Sequence, residues 1–379
     1  MDISIQEYIK HNCENMITTL KELCVIPAPS HYEQKRAEYC KAWLEDAGAK
    51  NVYIDEALNV IYCLNCEHSD EITVFAAHTD TVFPDTTPFS CFDDGEKIHC
   101  PGAADDTASL VVLLTMAKFF IEKNIVPQKG IMFCCNSCEE GLGNLKGTRQ
   151  IFDDYKGRIK QFITFDSSLN ILVDNCVGSH RYEVEVLTEG GHSYLKFGNN
   201  NAIAELSKIV NKIYQLEVPK KSGTKTTYNI GTITGGTSIN TIAQNATMLC
   251  EYRSDDIECL EIMEKAFKDI FAQANTDAVK VNVKKIGDRP CSNTDLHKID
   301  LLKEIATPII EKVIGEKVSN ASSSTDCNIP LSLGIPSLCV GVNNYYGIHT
   351  REEWVDKKSI GLGLEIAIKL GLAITEVQL

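Results

Sequence analysis

The chain has 379 residues, 44% hydrophobic and 23% charged, which is an ordinary globular composition and long enough for two domains. Its formal charge of −15 argues against nucleic acid or an anionic membrane surface as a partner. No apolar run has membrane-spanning length, and the start "MDISIQEYIKHNCENM" lacks a signal-peptide pattern, so a cytoplasmic protein is expected.

The first fifty residues read as helix, loop, helix, joined by "CVIPAPSHYEQ". Pro27 and Pro29 bar helix there, and Ser30 is expected to cap the helix beginning near Glu33. The runs "EITVFAAH", "KGIMFCCN", "QFITFD" and, much later, "IPSLCVGV" are short and apolar throughout, as strands buried on both faces are. Between two of them, "DDTASLVVLLTMAKFFIEKN" predicts a buried helix whose acidic start suits the positive end of its dipole. Strands alternating with helices predict an α/β domain with a mainly parallel sheet. Most of the sixteen cysteines lie in apolar runs, Cys24, Cys100, Cys134, Cys250 and Cys339 among them, and read as small buried hydrophobes. Two C-x-x-C pairs, Cys63/Cys66 and Cys135/Cys138, would make a thiol-zinc site only if they converged.

Near residue 177 the pattern changes. "SHRYEVEVLTEG" alternates polar and apolar, "NAIAELSKIVNKIYQLE" is amphipathic, and "YNIGTITGG", "ATMLCEYRS", "LEIMEKAFKDIFAQA" and "AVKVNVKKI" follow. Strand, helix, strand, strand, helix, strand is the order of a ferredoxin-like α+β domain. The expected organisation is a discontinuous catalytic domain, 1–176 and 291–379, with a lid or dimerisation domain, 177–290, inserted.

Ligand sites in open α/β sheets lie beyond the carboxyl ends of the strands. Those ends carry His78 and Asp80, then Glu139 and Glu140, then Asp166; the buried helix opens at Asp105, and "LCVGV" leads to His349. Taken singly, such a histidine is ordinarily a loop or core residue and such an aspartate a helix cap. Their coincidence at one rim is what independent placements rarely give. A mixed histidine and carboxylate set suits zinc, cobalt or manganese, and one bridging carboxylate would make a two-metal site of the aminopeptidase kind.

"HTDTV", "PGAADDTASL", "CEEGLGNLKG", "FDSS" and "GIHTREEWV" together resemble the zinc-peptidase family of peptidase T, carboxypeptidase G, succinyl-diaminopimelate desuccinylase and aminoacylase. The resemblance covers nearly the whole chain, including the opening "VIPAPSHYEQKRAEYCKAWLEDAG" and the inserted "GGTSINTIAQNATMLCEYRS". It implies two zinc ions per chain, with cobalt or manganese as substitutes. His78 and Asp166 would hold one, Glu140 and His349 the other, and Asp105 would bridge both. Asp80 would orient His78, and Glu139 would be the general base that takes a proton from water and passes it to the leaving amine. His192 would stabilise the oxyanion in the site of a dimer partner, and Asn240 and Arg253 would bind substrate. The chain departs from the family at Thr107 and Ala108, where Lys and Gly are frequent, and at Asn136, Ser137 and Cys138 ahead of the glutamates.

The function expected is a metal-dependent amide hydrolase, foremost an exopeptidase on short peptides, with an N-acyl-amino-acid deacylase as the alternative. "GLGNLKG" also raises a nucleotide-binding oxidoreductase, although its spacing is one residue longer than the dinucleotide fingerprint. A non-catalytic relative that only binds a partner would have no need of the intact His78, Asp105, Glu139, Glu140, Asp166, His349 set.

Overall fold

The computed structural model describes residues 2–376, which divide into two compact units: the chain up to Cys176 together with the part from Asn293 onward, and the inserted stretch Val177–Ser292. The larger unit is built on an eight-stranded sheet. Its spatial order is Tyr53–Ile54, Val60–Leu64, Gly130–Asn136, Ile72–His78, Ile159–Thr164, Ser337–Val340, Ile171–Cys176, Ser319–Ser323. The strands Ile72–His78 and Gly130–Asn136 are buried at every position, which is why the sequence shows unbroken apolar runs there. They pair in parallel, and Ile72–His78 also pairs in parallel with Ile159–Thr164, so His78 lies opposite Asn136 at one edge of the sheet. Ser337–Val340 continues the parallel set, whereas Val60–Leu64 and Ile171–Cys176 run antiparallel to their inner neighbours.

Helix Ser109–Glu122 is buried along most of its length, and Phe119 and Phe120 are wholly covered. The Phe120 ring stands edge-on to Phe133 at 5.5 Å, and Phe133 stacks between Phe75 and Tyr62 at 6.2 and 6.0 Å. Each such side chain contributes roughly 1.5–3 kcal/mol by leaving water, and together they fix the strand ends. Cys134 and Cys135 are part of this packing, and all sixteen cysteines are free. No cluster of metal-compatible donors among the described residues includes Cys63, Cys66, Cys135 or Cys138, so the C-x-x-C pairs do not form the thiol-zinc alternative.

Ser30 does not cap the second helix. That helix, Gln34–Asp46, starts after Glu33 without a side-chain cap, because the Ser30 hydroxyl donates to Asp80 Oδ2 at 2.6 Å instead.

The inserted unit has a four-stranded antiparallel sheet ordered Thr226–Gly235, Asn245–Ser254, Gly178–Leu187, Lys280–Arg289, with helices Ala202–Tyr214 and Ile257–Ala274. Its own core joins Val184, Val186, Leu206, Ile209, Met248, Met263 and Phe267. Asn201 and Asp256 cap the two helices, each accepting amide hydrogen bonds in the first turn. Among the described residues no helix is long and apolar enough to cross a membrane.

Candidate metal centre

His78 ends a buried strand, which fixes its backbone while its ring projects past the sheet edge. Its Nε2 lies 3.1 Å from Asp105 Oδ1. Its other nitrogen, Nδ1, faces the Asp80 backbone oxygen at 3.0 Å and the Asp80 carboxylate at 3.4 Å. His349 Nε2 lies 3.0 Å from Asp105 Oδ2 and 3.1 Å from Glu140 Oε1. One carboxylate therefore turns one oxygen towards each imidazole. Donor atoms of His78, Asp105 and Glu140 fall within 4.8 Å of one another, and so do those of His78, Asp106 and Asp166. Asp106 was not singled out from the sequence, although it is the second member of an adjacent pair; its Oδ2 accepts the His78 amide at 2.9 Å.

The electrostatics of this cluster describe a place short of positive charge. Burial, then Asp105, push the Glu140 carboxyl up to about 7. Burial, then Asp105 and Asp106, push Asp166 well above the usual carboxylate range. Burial alone would lower the His78 imidazolium, but Asp106, Asp105 and Asp80 outweigh it and hold it well above its ordinary value. Hydrogen bonds to Asp105 and Glu140 raise His349 to about 10. Burial would raise Asp105, yet His349 and His78 hold it below its usual range. Raised carboxyls beside raised imidazoles mark the positions where cations would neutralise the carboxylates. With nitrogen and oxygen donors and no thiolate, the residues fit borderline divalent ions.

Several groups support this cluster, and two of them, Glu353 and Asp326, escaped the sequence reading. The Asp80 carboxylate accepts the amides of Glu139 and Glu140, both at 2.9 Å, so it clamps the loop that carries the glutamates. Glu353, wholly buried, accepts the amides of Gly102 and Ala104 at 2.8 Å and of Asp105 at 3.1 Å. Asp326 is buried between Asn136, whose amide donates at 2.6 Å, and Thr148. Burial and then Glu139 push the Asp326 carboxyl up to about 7. The departures at Thr107 and Cys138 are absorbed by packing: buried Arg36 donates to Thr107 Oγ1 at 3.1 Å, and the Cys138 thiol donates to Glu33 at 3.2 Å.

The glycines of "GLGNLKG" serve this same loop. A Cβ on Gly143 would meet the Cys138 backbone, and one on Gly147 would collide with Asn59 Oδ1 and the Ser137 backbone. They let the segment close behind the glutamates, and no phosphate cradle is needed to explain them.

In the inserted unit, His192 is exposed, and its Nδ1 accepts the amides of Tyr194 and Leu195 at 3.3 and 3.4 Å. That leaves the proton on Nε2, facing outward as a donor. Asn240 is brought beside it: His192 pairs with Thr241, and the Ser193 amide donates to the Asn240 carbonyl at 3.0 Å. Arg253 is elsewhere, opposite Ser179, with its guanidinium on Glu251 at 2.8 and 3.1 Å. Eight residues of strand separate it from Asn245, about 27 Å at the usual rise.

A mainly parallel α/β sheet with this donor set at its rim defines a class, the metal-dependent amide hydrolases. More narrowly, the chain belongs to peptidase family M20/M25/M40, whose sequence profile residues 74–372 match. It is 24% identical over 383 residues to the N-acetyldiaminopimelate deacetylase of Bacillus pumilus, covering 94% of this chain and 96% of that one. A peptidase M20 domain-containing protein of Schizosaccharomyces pombe is 26% identical over 269 residues, and the chain spans 64% of its length. The fold matches the crystal structure of aminopeptidase PepT from Bacillus cereus with a TM-score of 0.73, at 22% identity, over 97% of this chain and 99% of that one.

Proposed function

We propose that the protein is an exopeptidase acting on short peptides with two divalent ions, most naturally zinc. The observation that carries this reading is Asp105, whose two oxygens stand 3.1 and 3.0 Å from the imidazoles of His78 and His349. In this assignment His78 and Asp166 hold one ion, Glu140 and His349 the other, and Asp105 both. When bound, the ions supply Lewis acidity to the substrate carbonyl and to the attacking water. Asp80 fixes which nitrogen of His78 faces the centre and anchors the loop behind the glutamates. Glu139 takes the proton from water and returns it to the leaving amine. His192, with Nε2 as its donor, steadies the oxyanion, while Asn240 and Arg253 hold the substrate ends.

His192, on the short pair Gly191–His192 and Thr241–Ile242, and Arg253, at the far end of strand Asn245–Ser254, stand apart in the inserted unit, which supports a homodimer in which the two serve different sites. Exposed Tyr194, Leu195 and Phe197 beside His192 supply apolar surface for such a contact. Sixteen free cysteines suit a cytoplasmic location. The deacylase reading keeps a place because the Bacillus pumilus relative bears that name across almost its whole length. Hydrolysis of di- and tripeptides against N-acetyl- and N-succinyl-amino acids, with zinc, cobalt or manganese added, decides between them. Cleavage confined to N-acyl-amino acids overturns the peptidase assignment. Purified protein without transition metal and without metal-dependent activity overturns both.

A further inference from the structure

We propose that Cys24, Cys91 and Cys100 form a second cation site, suited to one soft, low-coordinate closed-shell ion, Cu(I) foremost. The three residues share no motif and come from separate places: the last residue of helix Asp2–Cys24, the residue ahead of strand Phe92–Asp93, and the residue after strand Lys97–His99. Their sulfurs nevertheless lie within 4.8 Å of one another. Three thiolates around one ion at about 2.3 Å stand about 4 Å apart, so binding asks only for a small contraction.

The donor count chooses the ion. Among the described residues no fourth histidine, cysteine or carboxylate joins the group. Structural zinc sites close with four ligands, whereas thiolates alone select soft ions such as Cu(I). The histidine and carboxylate centre described above has the opposite preference, so the two sites do not compete for one metal.

Charge and access agree with this. Hydrogen bonding with Cys100 and Cys24 brings the Cys91 thiol down to about 3, while hydrogen bonding with Cys100 and Cys91, aided by burial, raises Cys24. One Cu(I) enters as the remaining thiol protons leave, and the three sulfurs bind it as thiolates. Positive charge stands close by: buried Arg36 lies in electrostatic range of Cys24 and Cys100, and Lys21 of Cys91. Cys24 and Cys100 are fully buried and Cys91 is half-buried, which makes Cys91 the entry point. Cys100 lies five residues ahead of Asp105, and its amide donates to the Glu353 carbonyl at 3.1 Å, so the site sits behind the loop that carries the bridging carboxylate.

The test loads the protein as purified with Cu(I), anaerobically, against the competitor bathocuproine disulfonate. Wild type should retain about one Cu(I) per chain, with three sulfur neighbours in X-ray absorption, and Cys91→Ser should weaken retention at least about tenfold. Cys63→Ser should retain the ion. Cys91 is half-buried, and a circular dichroism spectrum shows whether its variant folds. As a readout that needs no variant, one equivalent of Cu(I) should slow alkylation of Cys91 by iodoacetamide, read by peptide mass, and leave exposed Cys13 unchanged. Equal retention by Cys91→Ser, a coordination shell of nitrogen or oxygen, or unprotected Cys91 would overturn the proposal.

Discussion

Glu353 offers the sharpest test of how the bridging carboxylate is held. Its two oxygens accept three amides, Gly102 on Oε2 and Ala104 and Asp105 on Oε1. Glu353→Gln keeps the shape but turns an NH2 group towards one of those amides, leaving a buried donor without an acceptor. Such an orphan costs about 1–3 kcal/mol, and part of that cost is relieved if the loop moves. Because the loop carries Asp105, movement appears as lost metal affinity; about 1.4 kcal/mol is tenfold, and outer partners of metal ligands are typically worth about 10–100-fold. Glu353→Gln should therefore bind zinc about 10–100-fold more weakly, with kcat recovering at saturating metal. Glu353→Ala, which orphans all three amides, should lose more affinity and also lower Tm. Zinc-buffered activity titrations and calorimetry supply the readings. Wild-type zinc affinity together with wild-type Tm in Glu353→Ala would show that the carboxylate does not position the ligand loop.

Glu139→Ala should lower kcat by at least about 10²-fold while metal content, measured by mass spectrometry, stays near wild type; a fully active variant removes Glu139 as base. His192→Ala should be nearly inactive, and mixing it with Glu139→Ala should restore part of the activity if the histidine serves a partner's site; absence of rescue confines it to its own chain. For pH, hydrogen bonds from Lys357 and Lys21 hold the Asp93 carboxyl well below its usual range. A depressed folded-state pKa gives stability that is present above the unfolded value, about 3.9, and is lost as pH falls through the folded one. Asp93→Asn should thus lower stability by at most about 1 kcal/mol at neutral pH, given the partial exposure of the pair, and the difference should shrink below about pH 4 in thermal melts. A difference undiminished from neutral pH down to pH 2 would assign the effect to packing.

What the sequence displayed was whatever depends on neighbours along the chain. "EITVFAAH" and "KGIMFCCN" announce buried parallel strands because both faces must be apolar, and the polar residue that ends each run marks the rim. His78, Asp105, Glu140 and His349 could be gathered from that rule before any coordinates. Glu353 could not. It sits in "HTREEWV", where nothing along the chain sets it apart from Glu352, and its partners are about 250 residues away, 251, 249 and 248 positions back. Asp326 was hidden for the same reason, its partners Asn136 and Thr148 lying 190 and 178 residues back. Ser30 was misread because a serine between a proline and a helix is locally a cap, and only the folded chain offers it Asp80.

These groups share a function with Asp80, which the sequence did show. Asp80, Glu353 and Asp326 are all buried acids whose oxygens are taken by amides or hydroxyls: Asp80 and Glu353 hold backbone amides, and Asp326 the Asn136 side-chain amide and the Thr148 hydroxyl. The acids assigned to metal are the opposite: Asp105 and Glu140 reach only imidazole nitrogens through the contacts of their carboxylates. That division explains how one rim holds so many carboxylates without ambiguity of role. An acid whose lone pairs are filled by N–H donors is fixed in place but is a poor ligand, and one left facing histidine is free to take a cation. The same contacts place Glu140 among the acids left facing histidine: its Oε1 turns to His349 Nε2 at 3.1 Å, and that nitrogen also faces Asp105 Oδ2 at 3.0 Å.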